Sequence, residues 1–120
     1  MSEAFVVKDS GERQQFKSGM VRDVTTDKAN FLKLLDGPML QRWAVHLTKG
    51  AIKYPDVEIG VANWTLANGK AEYQRAKESA LRHMIQYLQG DRTEDHAAAV
   101  FFNLNLAEYV REKLNDNSEA

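Results

Sequence analysis

Residues 70–110, KAEYQRAKESALRHMIQYLQGDRTEDHAAAVFFNLNLAEYV, decide the fold. Tyr73, Ala76, Ala80, Met84 and Tyr87 recur at intervals of three and four, with Leu81, Ile85 and Leu88 beside them. That spacing predicts an amphipathic helix from about Lys70 to Leu88. Gly90 stands just past its end, where a left-handed residue is favoured. Thr93 is then placed to cap a following helix, with Glu94 and Asp95 in its first turn, where the helix dipole favours negative charge. Ala97, Val100, Phe101, Leu104 and Ala107 form the inner stripe of that helix, and Phe102, Leu106, Tyr109 and Val110 a second apolar flank. A helix apolar around so much of its circumference buries against more than one partner, and a subunit interface is the economical explanation.

Working outward, the two prolines divide what precedes. Pro38 suits the first turn of a helix carrying Met39, Leu40, Trp43, Leu47 and Ala51 on one stripe. It should end near Tyr54, because Pro55 disfavours a helical residue before it. Residues 55–69 hold Gly60, Asn63 and Gly69 and read as a loop bearing one large aromatic, Trp64. The segment from Ala4 to Asn30 is polar, punctuated by Gly11 and Gly19, and reads as an irregular or short-stranded arm. The expected fold is therefore all-α: three main helices in a small antiparallel bundle, oligomeric, as one domain over 1–120. Within it, 1–30 is the arm, 37–114 the helical body and 115–120 a frayed tail.

At 120 residues, one such domain is the default. No cysteine is present, which excludes a disulfide scaffold, thiolate zinc sites and a cysteine nucleophile, and fits a reducing, cytoplasmic setting. The net charge of −1 argues against a protein that grips a nucleic acid duplex by phosphate neutralisation. Charge is nevertheless uneven: residues 36–90 carry seven basic and five acidic groups, and residues 91–120 three and seven. No apolar run approaches the roughly 18 residues that span a membrane, and Met1 to Val7 is too short and too acidic for a signal peptide.

Several polar groups stand where a plain bundle does not need them. Ser79 and His83 share a face of the second helix, as do His96, Ala99 and Asn103 on the third. Glu78, Glu94 and Asp95 border them, and such a set between two helices could hold a divalent cation. Taken singly, each has a plain structural role: Glu94 and Asp95 suit a helix start, Glu78 can pair with Arg82, Asn103 can bond across a helix pair, and His83 and His96 can be structural. On the first helix and its exit, His46, Lys49, Gly50 and Lys53 line one face, followed by Tyr54, Asn63 and Trp64. The lysines suit phosphate and the aromatics suit a base; a solvated basic face over packed aromatics is the alternative.

The ordered set Ser10-Gly11-Glu12-Arg13 with Phe16, Gly19, Arg22 and Asp23, Gly50-Ala51 with Lys53-Tyr54, Asn63-Trp64, Ser79-Ala80-Leu81-Arg82-His83, and Gly90 with Glu94-Asp95-His96 and Asn103 resembles a known family. It is the amino-terminal domain of dATP/dGTP diphosphohydrolases, found mostly in bacteriophages and prophages and related to the all-α MazG-like nucleotide pyrophosphatases. The resemblance covers about residues 9–113. It implies an oligomeric enzyme of phage nucleotide metabolism, in the host cytoplasm, that takes a purine deoxynucleoside triphosphate with Mg²⁺ or Mn²⁺ and releases monophosphate and pyrophosphate. Carried over by position, it implies Glu78, His83 and Asp95 for catalysis, and Glu78, Glu94, Asp95 and Asn103 for the metal. It also implies His46, Lys53 and Arg82 for phosphate, beside Lys49 from the helix face above, Tyr54, Asn63 and Trp64 for the nucleoside, and Arg13 and Arg22 on an arm that closes over the ligand; the individual roles are assigned from side-chain chemistry. The chain departs from MazG-like enzymes in having no Glu-x-x-Glu, its nearest spacing being Asp91-x-x-Glu94. A protein that binds or sequesters a nucleotide without hydrolysing it is the alternative, and an oligomeric scaffold the third.

Overall fold

A computed structural model describes residues 5–25 and 27–119; Met1–Ala4, where part of the signal-peptide reading fell, Thr26 and Ala120 lie outside the described residues. The chain forms two compact units, divided between Lys33 and Leu34.

In the first unit, β1 (Arg13–Gln15) pairs antiparallel with β2 (Val21–Asp23), Arg13 opposite Asp23. The turn closes through Gly19, whose φ of 95° is strained for any side chain-bearing residue. The Asp23 carboxylate accepts the Ser10 hydroxyl and the Ser10 N–H, and Arg13 reaches Asp9 at 2.7 Å. The short-stranded arm is thus held by its own polar side chains.

The second unit is helical: α1 (Met39–Lys53), α2 (Lys70–Leu88) and α3 (His96–Glu119), with a short 3₁₀ turn at Asn63–Leu66; another such turn, Phe31–Asp36, runs across the division of the two units. The helices α2 and α3 pack along each other as a helical hairpin, and α1 packs on α3. Pro38 sits at the N-cap of α1, one residue earlier than expected, and the helix stops at Lys53, ahead of Pro55. Glu72 reaches back to accept the N–H groups of Gly69 and Asn68 at 2.9 and 3.0 Å, which closes the start of α2.

At the other end of α2 the backbone follows the expectation. Gly90 has φ 82°, its N–H bonds to the Tyr87 carbonyl, and the Asp91 N–H bonds to the Gln86 carbonyl. These two bonds define the Schellman motif. Thr93, however, is not the cap of α3. Its N–H and hydroxyl both donate to the Asp91 carboxylate, at 3.0 and 2.8 Å, so its side chain is committed to the turn. Asp95 takes the capping position instead and accepts the Ala98 N–H at 3.0 Å. From there α3 continues to Glu119, past the expected end at 114.

The buried apolar residues are Ala67, Ala76, Ala80, Ala98, Ala99, Val100, Ala107 and Val110, mostly alanines that let the helices approach closely. The face α2 buries keeps Ala76 and Ala80 from the expected stripe and leaves its expected flank outside. Ala76 and Ala80 are inside with Ser79 and His83 partly covered, whereas Leu81, Ile85 and Leu88 are 63, 47 and 75% exposed. Apolar residues occupy more than one stripe of α2, so spacing alone does not orient it; the partner available to His83 on α3 does. Phe101 and Leu104, expected inside, are likewise half exposed, although Phe101 meets the Trp43 ring edge-on at 5.1 Å. No helix among the described residues is long and apolar enough to cross a membrane.

Candidate functional site: a cleft between the helices

A cleft of about 1270 Å³ opens between α1 and its exit loop on one side and the facing parts of α2 and α3 on the other. From α1 come His46, Lys49 and Lys53, three and four residues apart and so on one face, with Tyr54 immediately after. Asn63 and Trp64 line it from the 3₁₀ turn, His83 from α2, Glu94 and Asp95 from the turn before α3, and Asn103 from α3.

The aromatic floor is fixed from below. Trp64 meets Phe102 and Tyr109 edge-on at 6.3 and 5.1 Å, and Phe102 also meets His46 at 5.4 Å. The Tyr109 hydroxyl donates to the Thr65 carbonyl at 3.2 Å, and the Lys113 ammonium donates to the Thr65 and Ala67 carbonyls at 2.9 and 3.0 Å. Trp64 therefore belongs to the packed interior as well as to the cleft wall. Tyr54 is half exposed, with the Lys53 ammonium 5.2 Å from its ring centre.

Electrostatics separate the cleft's charges into used and unused. Arg42 grips Asp95 with two bonds of 2.8 and 2.5 Å, and that guanidinium, with the Ala98 N–H, holds the Asp95 carboxyl down at about 2. Lys49 and Lys53 make no ion pair among the described residues.

Beside the cleft lies a chain of three bonded side chains. His96, 2% exposed, meets an Asp91 carboxylate oxygen through Nε2 at 2.7 Å and the His83 Nδ1 through its own Nδ1 at 2.9 Å. The Thr93 N–H, the His96 ring and the Thr93 hydroxyl hold the Asp91 carboxyl at about 2. Burial, then the neighbouring His96, pushes His83 below the ordinary histidine value; burial does the same to His46.

These directions predict the acid behaviour of the fold. A buried histidine with a lowered value binds fewer protons folded than unfolded, so its contribution is complete above about 6.5 and declines as pH falls below that. The carboxyls of Asp91 and Asp95, at about 2 against 3.8, contribute stability above 3.8 that disappears as pH falls toward 2. The melting temperature is expected to slip gently below about pH 6.5 and to drop steeply between about pH 4 and pH 2. A flat melting temperature down to pH 3 would contradict these assignments.

Not every residue expected at the site comes to the cleft. Glu78 and Arg82 are exposed on α2 and do not border it; Arg82 donates to the Ser79 hydroxyl at 3.3 Å and forms no ion pair with Glu78. Arg13 and Arg22 belong to the first unit. The metal set of Glu78, Glu94, Asp95 and Asn103 does not converge: among the described residues no three His, Asp or Glu side chains are grouped to hold a metal ion. Asp95 is occupied as a cap and as the partner of Arg42, and Asn103 donates to the Ala99 carbonyl at 2.8 Å. The side chains as arranged therefore do not fit a metal centre built from that set.

Sequence reasoning missed Arg42, which pairs across 53 positions with no local signal, and gave Asp91 no role. The motif Gly90-Asp91-x-Thr93 could have pointed to Asp91, since a carboxylate two residues before a threonine commonly receives its N–H in an Asx turn. No curated protein and no solved structure shows a significant match to the chain. A family model does, over residues 20–118, and through it the chain belongs to the family described as dATP/dGTP diphosphohydrolase, N-terminal.

Proposed function

We propose that the cleft takes a purine deoxynucleoside triphosphate and that the protein hydrolyses it to the monophosphate and pyrophosphate. The observation that carries this reading is the joining, in one cleft, of two lysines with no ion pair among the described residues, an aromatic wall and a histidine lowered toward its neutral form. The lysines supply charge for the phosphates, the Tyr54 and Trp64 side an apolar surface for the base, and Asn63 an amide that can donate and accept at its edge. The family's description supports the reaction. No step is assigned to a protein-held metal; Mg²⁺ or Mn²⁺ would arrive on the triphosphate, a mode in which it needs only one or two protein carboxylates.

Binding without hydrolysis is a second reading, favoured by the absence of a gathered carboxylate cluster among the described residues. One experiment separates the two. The purified chain is incubated with each deoxynucleoside triphosphate and Mg²⁺ or Mn²⁺, and products are resolved by chromatography beside a melting curve. Monophosphate and pyrophosphate from dATP or dGTP are expected. At a hundred times its dissociation constant a bound nucleotide stabilises by about 2.7 kcal/mol, which a melt resolves. A raised melting temperature with no product supports the second reading, and neither effect sinks both.

A further inference from the structure

We propose that Asp91 and His96 form a relay that fixes the tautomer of His83 and turns its Nε2 lone pair into the base that activates water in the cleft. The proposal rests on the hydrolytic reading above and adds to it which group takes the proton and what holds that group ready.

The Asp91 carboxylate is ionised and already accepts from the Thr93 N–H and hydroxyl, so the 2.7 Å contact with the His96 Nε2 needs the proton on the imidazole. With His96 neutral, its Nδ1 carries only a lone pair. The 2.9 Å approach of the two Nδ1 atoms needs one proton between them, and it has to come from His83. With its proton at Nδ1, His83 keeps a lone pair at Nε2, on the side of the ring away from His96. His83 borders the cleft, while His96 is shut away from solvent. A carboxylate that orients one imidazole through its N–H is the usual device for fixing a basic nitrogen; here the instruction passes through a second imidazole.

The fold explains why the chain of bonds is this one. The left-handed Gly90 turns the backbone so that Asp91 leaves α2 at the mouth of the hairpin. The Asx turn with Thr93 then aims the carboxylate at the first residue of α3, which is His96. The face of α2 that turns inward is the one bearing His83.

The chemical step balances without a redox partner. A water molecule loses a proton to the His83 Nε2 as its oxygen bonds to the α-phosphorus. The bond from that phosphorus to the bridging oxygen breaks, and pyrophosphate departs with the electron pair. The proton at His83 Nδ1 can pass to His96 Nδ1, which places the positive charge beside the Asp91 carboxylate until the proton returns to solvent or product.

Three variants and one spectrum test this. In wild-type protein labelled at histidine nitrogen, long-range proton–nitrogen spectra are expected to show His83 as the Nδ1–H tautomer and His96 as the Nε2–H tautomer. The reverse tautomer at His83 overturns the relay. His83→Gln is expected to lower kcat by about 10²–10⁴-fold, the range for loss of a general base, with nucleotide affinity within about threefold. Asp91→Asn and His96→Asn act through positioning. Each should lower kcat with little change in KM, and Asp91→Asn should leave His83 a mixture of tautomers, a signature that simple loss of stability does not produce. A wild type that turns over dATP or dGTP while His83→Gln keeps pace with it overturns the base role and leaves the hydrolytic reading standing. A wild type inert to every nucleotide overturns the hydrolytic reading and the base role together.

Discussion

Replacing Ala98 with leucine is expected to lower the unfolding free energy by about 3 kcal/mol, at the upper end of the usual cost of adding methylenes to a filled core. Ala98 has no exposed surface and stands in the first turn of α3, where its N–H is bonded to the Asp95 carboxylate. An isobutyl group there has to push apart a core made mostly of alanines, and any retreat of the backbone breaks the helix cap. A loss of that size changes the ratio of folded to unfolded protein by more than a hundredfold, well resolved in urea titration. Ala98→Gly is the companion measurement: it adds no bulk and should cost only about 1 kcal/mol, the intrinsic penalty of glycine in a helix. Equal losses in the two variants would mean that helix propensity, not packing, decides the site.

Where the sequence was legible, the physics was local. The bounds of α2 follow from its spacing, the end at Gly90 from the left-handed conformation that glycine adopts freely, and the stop of α1 from Pro55. The start of α3 was two residues out because Thr93 and Asp95 are both good caps, and the Asp91 carboxylate claims Thr93 first. The apolar flank of α2 was misjudged for a different reason. Leu81, Ile85 and Leu88 are the more hydrophobic choice by composition, yet the helix turns Ser79 and His83 inward because a buried polar group is tolerated where it finds a partner, and His96 is that partner. The cleft follows the same division. The face with His46, Lys49 and Lys53 could be read from helical spacing alone, whereas the Arg42–Asp95 pair joins positions far apart in the chain and exists only once α1 lies against α3.

The double substitution Lys49→Ala and Lys53→Ala is expected to weaken nucleotide binding by about a hundredfold or more while leaving the melting temperature of the free protein nearly unchanged. The two halves have one cause. Both lysines are exposed and make no ion pair among the described residues, so the fold gains little from them, and the phosphates of a ligand would be their first anionic partners. Hydrogen bonds to a charged group are worth about 1.5–3 kcal/mol each, and 1.4 kcal/mol is a factor of ten, so losing one bond costs tenfold or more. Of the other cations that line the cleft, Arg42 is already neutralised by Asp95, with both of its bonds directed there, which leaves Arg75 on α2 as the remaining source of charge. Because the lysines stand at an open surface, the attraction should also be screened by salt, over a Debye length of about 8 Å at physiological ionic strength. Wild-type affinity measured by calorimetry should therefore fall as salt rises, and the double variant should show a flatter dependence. The Lys53 ammonium also lies over the Tyr54 ring, so charge and stacking have to be told apart. Arginine at both positions keeps the charge and should recover most of the affinity. Binding by the double alanine variant within threefold of wild type, with the same response to salt, would remove the phosphates from this wall of the cleft.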